Sequence, residues 1–94
     1  MNSLYELINE VTAFPELYIG KPSLERLYAY INGFLSANID LDDHCLDGFT
    51  EFVSEKYRLQ SDHNWSEIIS FFAPNENTAF ARFVQLFNEF TERD

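Results

Sequence analysis

Apolar residues recur along this chain at intervals of three and four, the spacing that lines one face of an α-helix. Leu4, Leu7, Ile8 and Val11 form the first such stripe. Ser3 and Glu6 stand three apart at its start, the capping-box spacing in which two side chains satisfy amides that a helix leaves unbonded at its beginning. Proline disfavours the α conformation at the residue before it, so this helix is expected to loosen at Phe14, ahead of Pro15. Residues 14–22 carry Pro15, Gly20 and Pro22, and are expected to form a turn and a short irregular connection.

Ser23 suits the N-cap of a second helix, with Leu24, Leu27, Tyr28, Ile31 and Leu35 as its stripe. Gly33 inside it costs about 1 kcal/mol relative to alanine, a cost that close helix packing would offset. Residues 38–42 are expected to form a polar, acidic loop. A third helix is expected from near Asp43, burying Leu46, Phe49, Phe52, Val53 and Tyr57. After a break over residues 59–63, Asn64 and Glu67 repeat the capping spacing at the start of a short fourth helix carrying Trp65, Ile68, Ile69 and Phe72. The pair Ile68-Ile69 beside Phe71-Phe72 also fits a strand. Pro74 and Asn75 then separate off a last helix, with Phe80, Phe83, Val84, Phe87 and Phe90 at helical spacing. No segment shows sustained period-two alternation or an Asn-Gly hairpin signal. The expected fold is all-α, a single compact domain over residues 1–94 with about five helices.

Composition makes that fold affordable. The chain is 46% apolar and 17% aromatic, a supply of large side chains that disordered acidic chains lack, so its acidity belongs to a folded body. Cys45 is the only cysteine, which excludes an intrachain disulfide and fits a reducing, cytoplasmic setting. The first residues carry no basic n-region, and no apolar run approaches the roughly 20 residues that span a bilayer. Neither a signal peptide nor a membrane segment is expected.

Sixteen acids against six bases give a net charge of −10. A field of one sign repels nucleic acid and anionic lipid and draws basic partners inward. The plainer reading is that the charge only keeps the protein soluble. The placement of the acids favours a partner. Between Arg26 and Lys56 there is no lysine or arginine, yet Asp40, Asp42, Asp43, Asp47, Glu51 and Glu55 all fall there. Asp43, Asp47, Glu51 and Glu55 repeat every fourth residue, so on a continuous third helix they would form one ridge turned away from Phe49 and Val53. Like charges at that spacing cost about 0.2–0.5 kcal/mol per pair, and a merely solvated face usually mixes its signs. These six acids, with Tyr30 off the second helix's stripe, are the candidate partner-binding residues.

Other chemistries fit less well. Counted from Asp40, an EF-hand loop needs glycine where Cys45 stands, although Glu51 falls at its twelfth position. His44, Cys45 and His63 lack the spacing of a tetrahedral metal site. There is no glycine-rich phosphate loop, no GxSxG and no HExxH. A solvated row of carboxylates does not raise a pKa for acid–base work. No enzyme activity and no cofactor are expected.

Three stretches have a family resemblance: Phe14-Pro15-Glu16-Leu17-Tyr18-Ile19-Gly20-Lys21-Pro22-Ser23-Leu24 followed by Ile31-Asn32-Gly33-Phe34; Phe49-Thr50-Glu51-Phe52-Val53-Ser54-Glu55-Lys56-Tyr57; and Trp65 with Ile68-Ile69-Ser70-Phe71-Phe72, closing on Phe87-Asn88-Glu89-Phe90. Together they resemble small bacterial immunity proteins of polymorphic toxin systems, including contact-dependent growth inhibition. Family members often place arginine before the proline, where this chain has Phe14. The matching residues are largely core and turn positions, so they bear on fold more than on target. The resemblance implies a protein that binds and neutralises a cognate basic toxin domain, a nuclease and in the first instance an RNase. Two alternatives stay open: an acidic nucleic-acid mimic or regulator that occupies a basic DNA-binding host protein, and a small metabolic or stress protein without a dedicated partner.

Overall fold

Side-chain caps set where most of the helices begin. In the computed structural model, which describes residues 3–38 and 43–92, α1 (Leu4–Ala13) starts behind Ser3. The Ser3 hydroxyl accepts the Glu6 N–H at 3.1 Å and donates to the Glu6 carboxylate at 3.2 Å. Ser23 accepts the Arg26 N–H and opens α3 (Leu24–Ala37). Asn64 and Glu67 form a complete capping box at the head of α5 (Trp65–Phe72), with both bonds at 3.0 Å. Asn75 accepts the Thr78 N–H at 2.8 Å just before α6 (Glu76–Glu92). Each cap satisfies amides that would otherwise be orphaned at a helix start. No strand occurs among the described residues, so the run at Ile68-Ile69 and Phe71-Phe72 is helical.

Two boundaries differ from the sequence expectation. Within the irregular connection, Pro15–Tyr18 makes a single helical turn, α2, with proline at its first position, where its missing N–H costs nothing. Four residues carry no periodicity by which to see it. The third long helix does not start near Asp43: residues 45–48 form turns, and α4 runs only from Phe49 to Lys56. Gly48 causes the delay. It takes φ +82°, left-handed backbone that breaks a right-handed helix and that glycine adopts without strain.

The core is one cluster. α4 packs on α5 and α6, α3 packs on α1, α5 and α6, and α2 lies on α1. Phe49, Phe83 and Phe87 are fully buried with Leu4, Ile8, Leu24, Leu27, Ile31, Ile68 and Ile69. Trp65 joins Phe49 and Phe83 at ring separations of 5.4 and 4.9 Å. Asn64 also ties α5 to α3 by donating to the Tyr28 hydroxyl at 2.9 Å, while the Tyr28 ring meets Trp65 edge-on. Two stripe residues fall outside the core: Leu35 near the end of α3 is exposed, and Phe72 at the end of α5 is exposed on one side while its ring stacks on Tyr57.

The glycines have opposite roles. Gly20 takes φ +89°, and a Cβ there would lie 2.6 Å from the Arg26 guanidinium, which donates to the Ile19 carbonyl at 2.8 Å. Gly33 mediates no close helix approach: nothing lies within 4 Å of a Cβ built on it. It is an exposed residue in a helix interior, where alanine is better by about 0.5–1 kcal/mol. Gly33→Ala is therefore expected to raise the melting temperature by several degrees, and Gly20→Ala to lower it. Thermal unfolding followed by circular dichroism checks both signs.

Candidate functional site

The delayed start of α4 reorganises the acidic row. Asp40 and Asp42 lie outside the described residues. Asp43 precedes the turn, Asp47 lies in it, and only Glu51 and Glu55 share a helix. The expected continuous ridge is thus a helical pair with an acid leading into it.

Asp43 is committed inside the chain. Its Oδ2 accepts the N–H of Leu4, the first residue of α1, at 2.6 Å, and its Oδ1 accepts the Cys45 N–H at 3.0 Å. The carboxylate therefore clasps the positive end of α1 from 39 residues away in sequence. Burial raises its pKa, but the hydrogen bonds from Cys45 and Leu4 outweigh that, and the group stays below the ordinary aspartate value. Asp43, expected from its place in the row to meet a partner, is thus engaged within the chain as a clasp on the start of α1. Beside it, burial and the Asp43 charge push the Cys45 thiol up to about 12. At neutral pH that sulfur is protonated and a poor nucleophile or metal ligand. Among the described residues no group of three or more His, Cys, Asp or Glu side chains is placed to hold a metal ion.

The outward acids are Asp47, Glu51 and Glu55. Asp47 meets His44 at 3.0 Å on an open turn. At about 100° per residue, Glu51 and Glu55 lie about 200° and 240° around α4 from the buried Phe49, so the packing that sinks Phe49 turns both to solvent. Among the described residues neither forms an ion pair. The base on the same helix points elsewhere: Lys56 bonds Glu89 of α6 at 2.8 Å and covers the Phe52 ring. Lys21 is held by Glu76 at 2.7 Å, Arg26 by the Ile19 carbonyl, and Arg82 donates to the Tyr57 hydroxyl. Most described cations are therefore engaged within the molecule, and α4 presents carboxylates.

Behind Glu51 and Glu55 runs a cleft of about 360 Å³ lined by Thr50, Ser54, Leu59, Gln60 and Ser61. Leu59, Gln60 and Ser61 also wall a larger groove of about 630 Å³, completed by His63, Glu67, Ile68, Ser70 and Phe71. The α4 C-terminus fixes this shared wall. Arg58 takes left-handed backbone at φ +53°, Leu59 N–H bonds the Ser54 carbonyl at 2.9 Å, and Arg58 N–H bonds that of Glu55 at 3.1 Å. That is a Schellman cap, and it holds Leu59 against the end of the helix. On the rim, the Asn64 N–H keeps the Glu67 carboxyl below its usual range, and Glu67 also meets His63 at 3.3 Å.

Tyr30 lies elsewhere. It is partly buried, and its ring meets that of Tyr18 edge-on at 6.3 Å rather than an α4 carboxylate. Sequence reasoning missed Leu59, Phe71 and Glu67 as surface residues of interest. Phe71 was hidden by its neighbour: in the pair Phe71-Phe72, Phe72 fits the buried stripe, yet both are exposed, at 81% and 46%.

No helix among the described residues is long and apolar enough to cross a membrane. Comparison with protein-family models, curated proteins and solved structures finds no match.

The Asp43 clasp has a defined pH signature. Because its folded pKa lies below the unfolded value of about 3.9, its stabilisation is present above that value and is lost as pH falls through the folded one. Asp43→Ala is expected to cost about 1–2 kcal/mol at pH 7, in the range of a lost helix cap, and distinctly less at pH 3. Urea unfolding at the two pH values measures the difference. An equal loss at both would mean that the charge does not contribute.

Proposed function

We propose that this chain is an immunity protein that acts in the cytoplasm by binding and neutralising a basic toxin domain, a nuclease and in the first instance an RNase. The observation that carries this reading is the outer face of α4, where Glu51 and Glu55 stand together while Lys56 is drawn away to Glu89. A nuclease must hold a polyanion, so its substrate groove is basic. A body of net charge −10 with an unneutralised carboxylate face matches such a groove in potential and is steered toward it. The resemblance to immunity proteins over the proline turn and the aromatic segments supports the same reading. Its role is binding rather than catalysis, since the acids on α4 are solvated and share no enclosed pocket.

The test uses the toxin domain encoded by the gene immediately upstream. Association is expected to weaken steadily with added salt, and the double reversal Glu51→Lys with Glu55→Lys to weaken it by at least about tenfold, mainly through the association rate. Nuclease activity assayed with each variant should rise in parallel. No binding by that domain contradicts the proposal, and binding indifferent to salt and to the reversal removes the acidic face from it.

A further inference from the structure

The groove between residues 59–63 and α5 is lined mainly by apolar surface, to which Leu59, Ile68 and Phe71 contribute. Phe71 is 81% exposed, among the most exposed large apolar side chains described. It is not loose. Its ring stands perpendicular to Phe72 at 5.1 Å, Phe72 stacks on Tyr57 at 4.6 Å with a 7° interplanar angle, and Arg82 donates to the Tyr57 hydroxyl at 3.2 Å. This ladder of rings leads outward from the partly buried Tyr57 to Phe71. An exposed aromatic ring offers a large contact area with only two side-chain torsions to order, which suits an interface anchor.

The surroundings select what could lie there. Glu67 edges the groove, and Glu51 and Glu55 line the cleft that shares its Leu59–Ser61 wall. A second copy of the chain would bring its own net charge of −10 against these acids. A basic segment would be attracted by them. The other exposed apolar group, Phe14, Leu17 and Tyr18, lacks this combination, because the hollow beside it is lined by Glu6, Asn9, Glu10 and Tyr18.

We infer that the groove lined by Leu59, Ile68 and Phe71 receives one large apolar side chain of the partner, carried on a segment whose flanking lysines or arginines meet Glu51, Glu55 and Glu67. This rests on the basic-partner reading above and adds an anchor to it. The carboxylates govern approach and salt dependence, and the groove governs how long the complex lasts.

The probe is a short synthetic peptide with one leucine between pairs of lysines, titrated into the whole ¹⁵N-labelled protein. Its comparators replace the leucine by serine or the lysines by glutamate. Expected are shifts at Leu59, Ile68, Phe71, Glu51 and Glu55, with binding about tenfold weaker for the serine peptide and for Phe71→Ala. Because Phe71 is largely exposed, that variant should keep the parent melting temperature, which separates lost binding from lost folding. If the serine peptide binds as well as the leucine peptide, or Phe71→Ala has no effect, the anchor is overturned while the acidic-face reading stands. If the glutamate peptide binds as well as the lysine one, the basic-partner reading falls, and the anchor as stated falls with it. Absence of groove shifts with every peptide overturns the anchor alone.

Discussion

The arrangement of this molecule depends on the burial of Phe49. Its ring is fully enclosed and lies within 5.2–6.3 Å of Phe90, Trp65, Phe83, Phe87 and Phe52, joining α4 to α5 and α6 in one aromatic cluster. Enclosing such a side chain contributes about 1.5–3 kcal/mol, and its edge-to-face ring pairs add to that. The chain can deliver Phe49 there because Gly48 turns through left-handed backbone immediately before it. A Cβ at Gly48 would meet only Phe90 at 3.9 Å, so the backbone angle rather than crowding calls for glycine. Once Phe49 is seated, the phase of α4 is fixed. Val53 follows it inward, Glu51 and Glu55 face solvent, and the Schellman cap sets Leu59 at the groove wall.

Much of this was legible in the sequence, and the exceptions have physical reasons. Periodicity located five of the six helices, and Ser3 and Asn64 were identified as caps from their spacing to a glutamate and Ser23 from its residue type after Pro22, because these signals are local. Gly48 was passed over: a glycine between Asp47 and Phe49 did not disturb the four-residue rhythm of the acids, although it ends any helix through them. Asp43 looked like the head of a ridge, but its bond to Leu4 spans 39 residues and leaves no trace in local pattern. Phe71 was absorbed into an apolar run, since periodicity cannot say which of two adjacent rings finds neighbours.

The break at Gly48 and the engagement of Asp43 leave Glu51 and Glu55 as the outward helical acids. A uniform row of carboxylates would offer a partner only attraction. The observed face combines Glu51 and Glu55 on α4 with an apolar groove one wall away, while Asp43 stabilises the start of α1 and Lys56 braces α6. In the proposed reading, attraction and anchoring fall to neighbouring elements, the carboxylates acting on the rate of encounter and the groove on the lifetime of the complex.

The central claim is that the partner lies across α4 and the adjoining groove. Amide hydrogen exchange on the free chain and on its complex with the proposed toxin domain tests it most directly. The account predicts slowed exchange over residues 50–61 and 67–71, with residues 6–18 unchanged. Slowing centred on residues 6–18, with α4 unaffected in the complex, would contradict it.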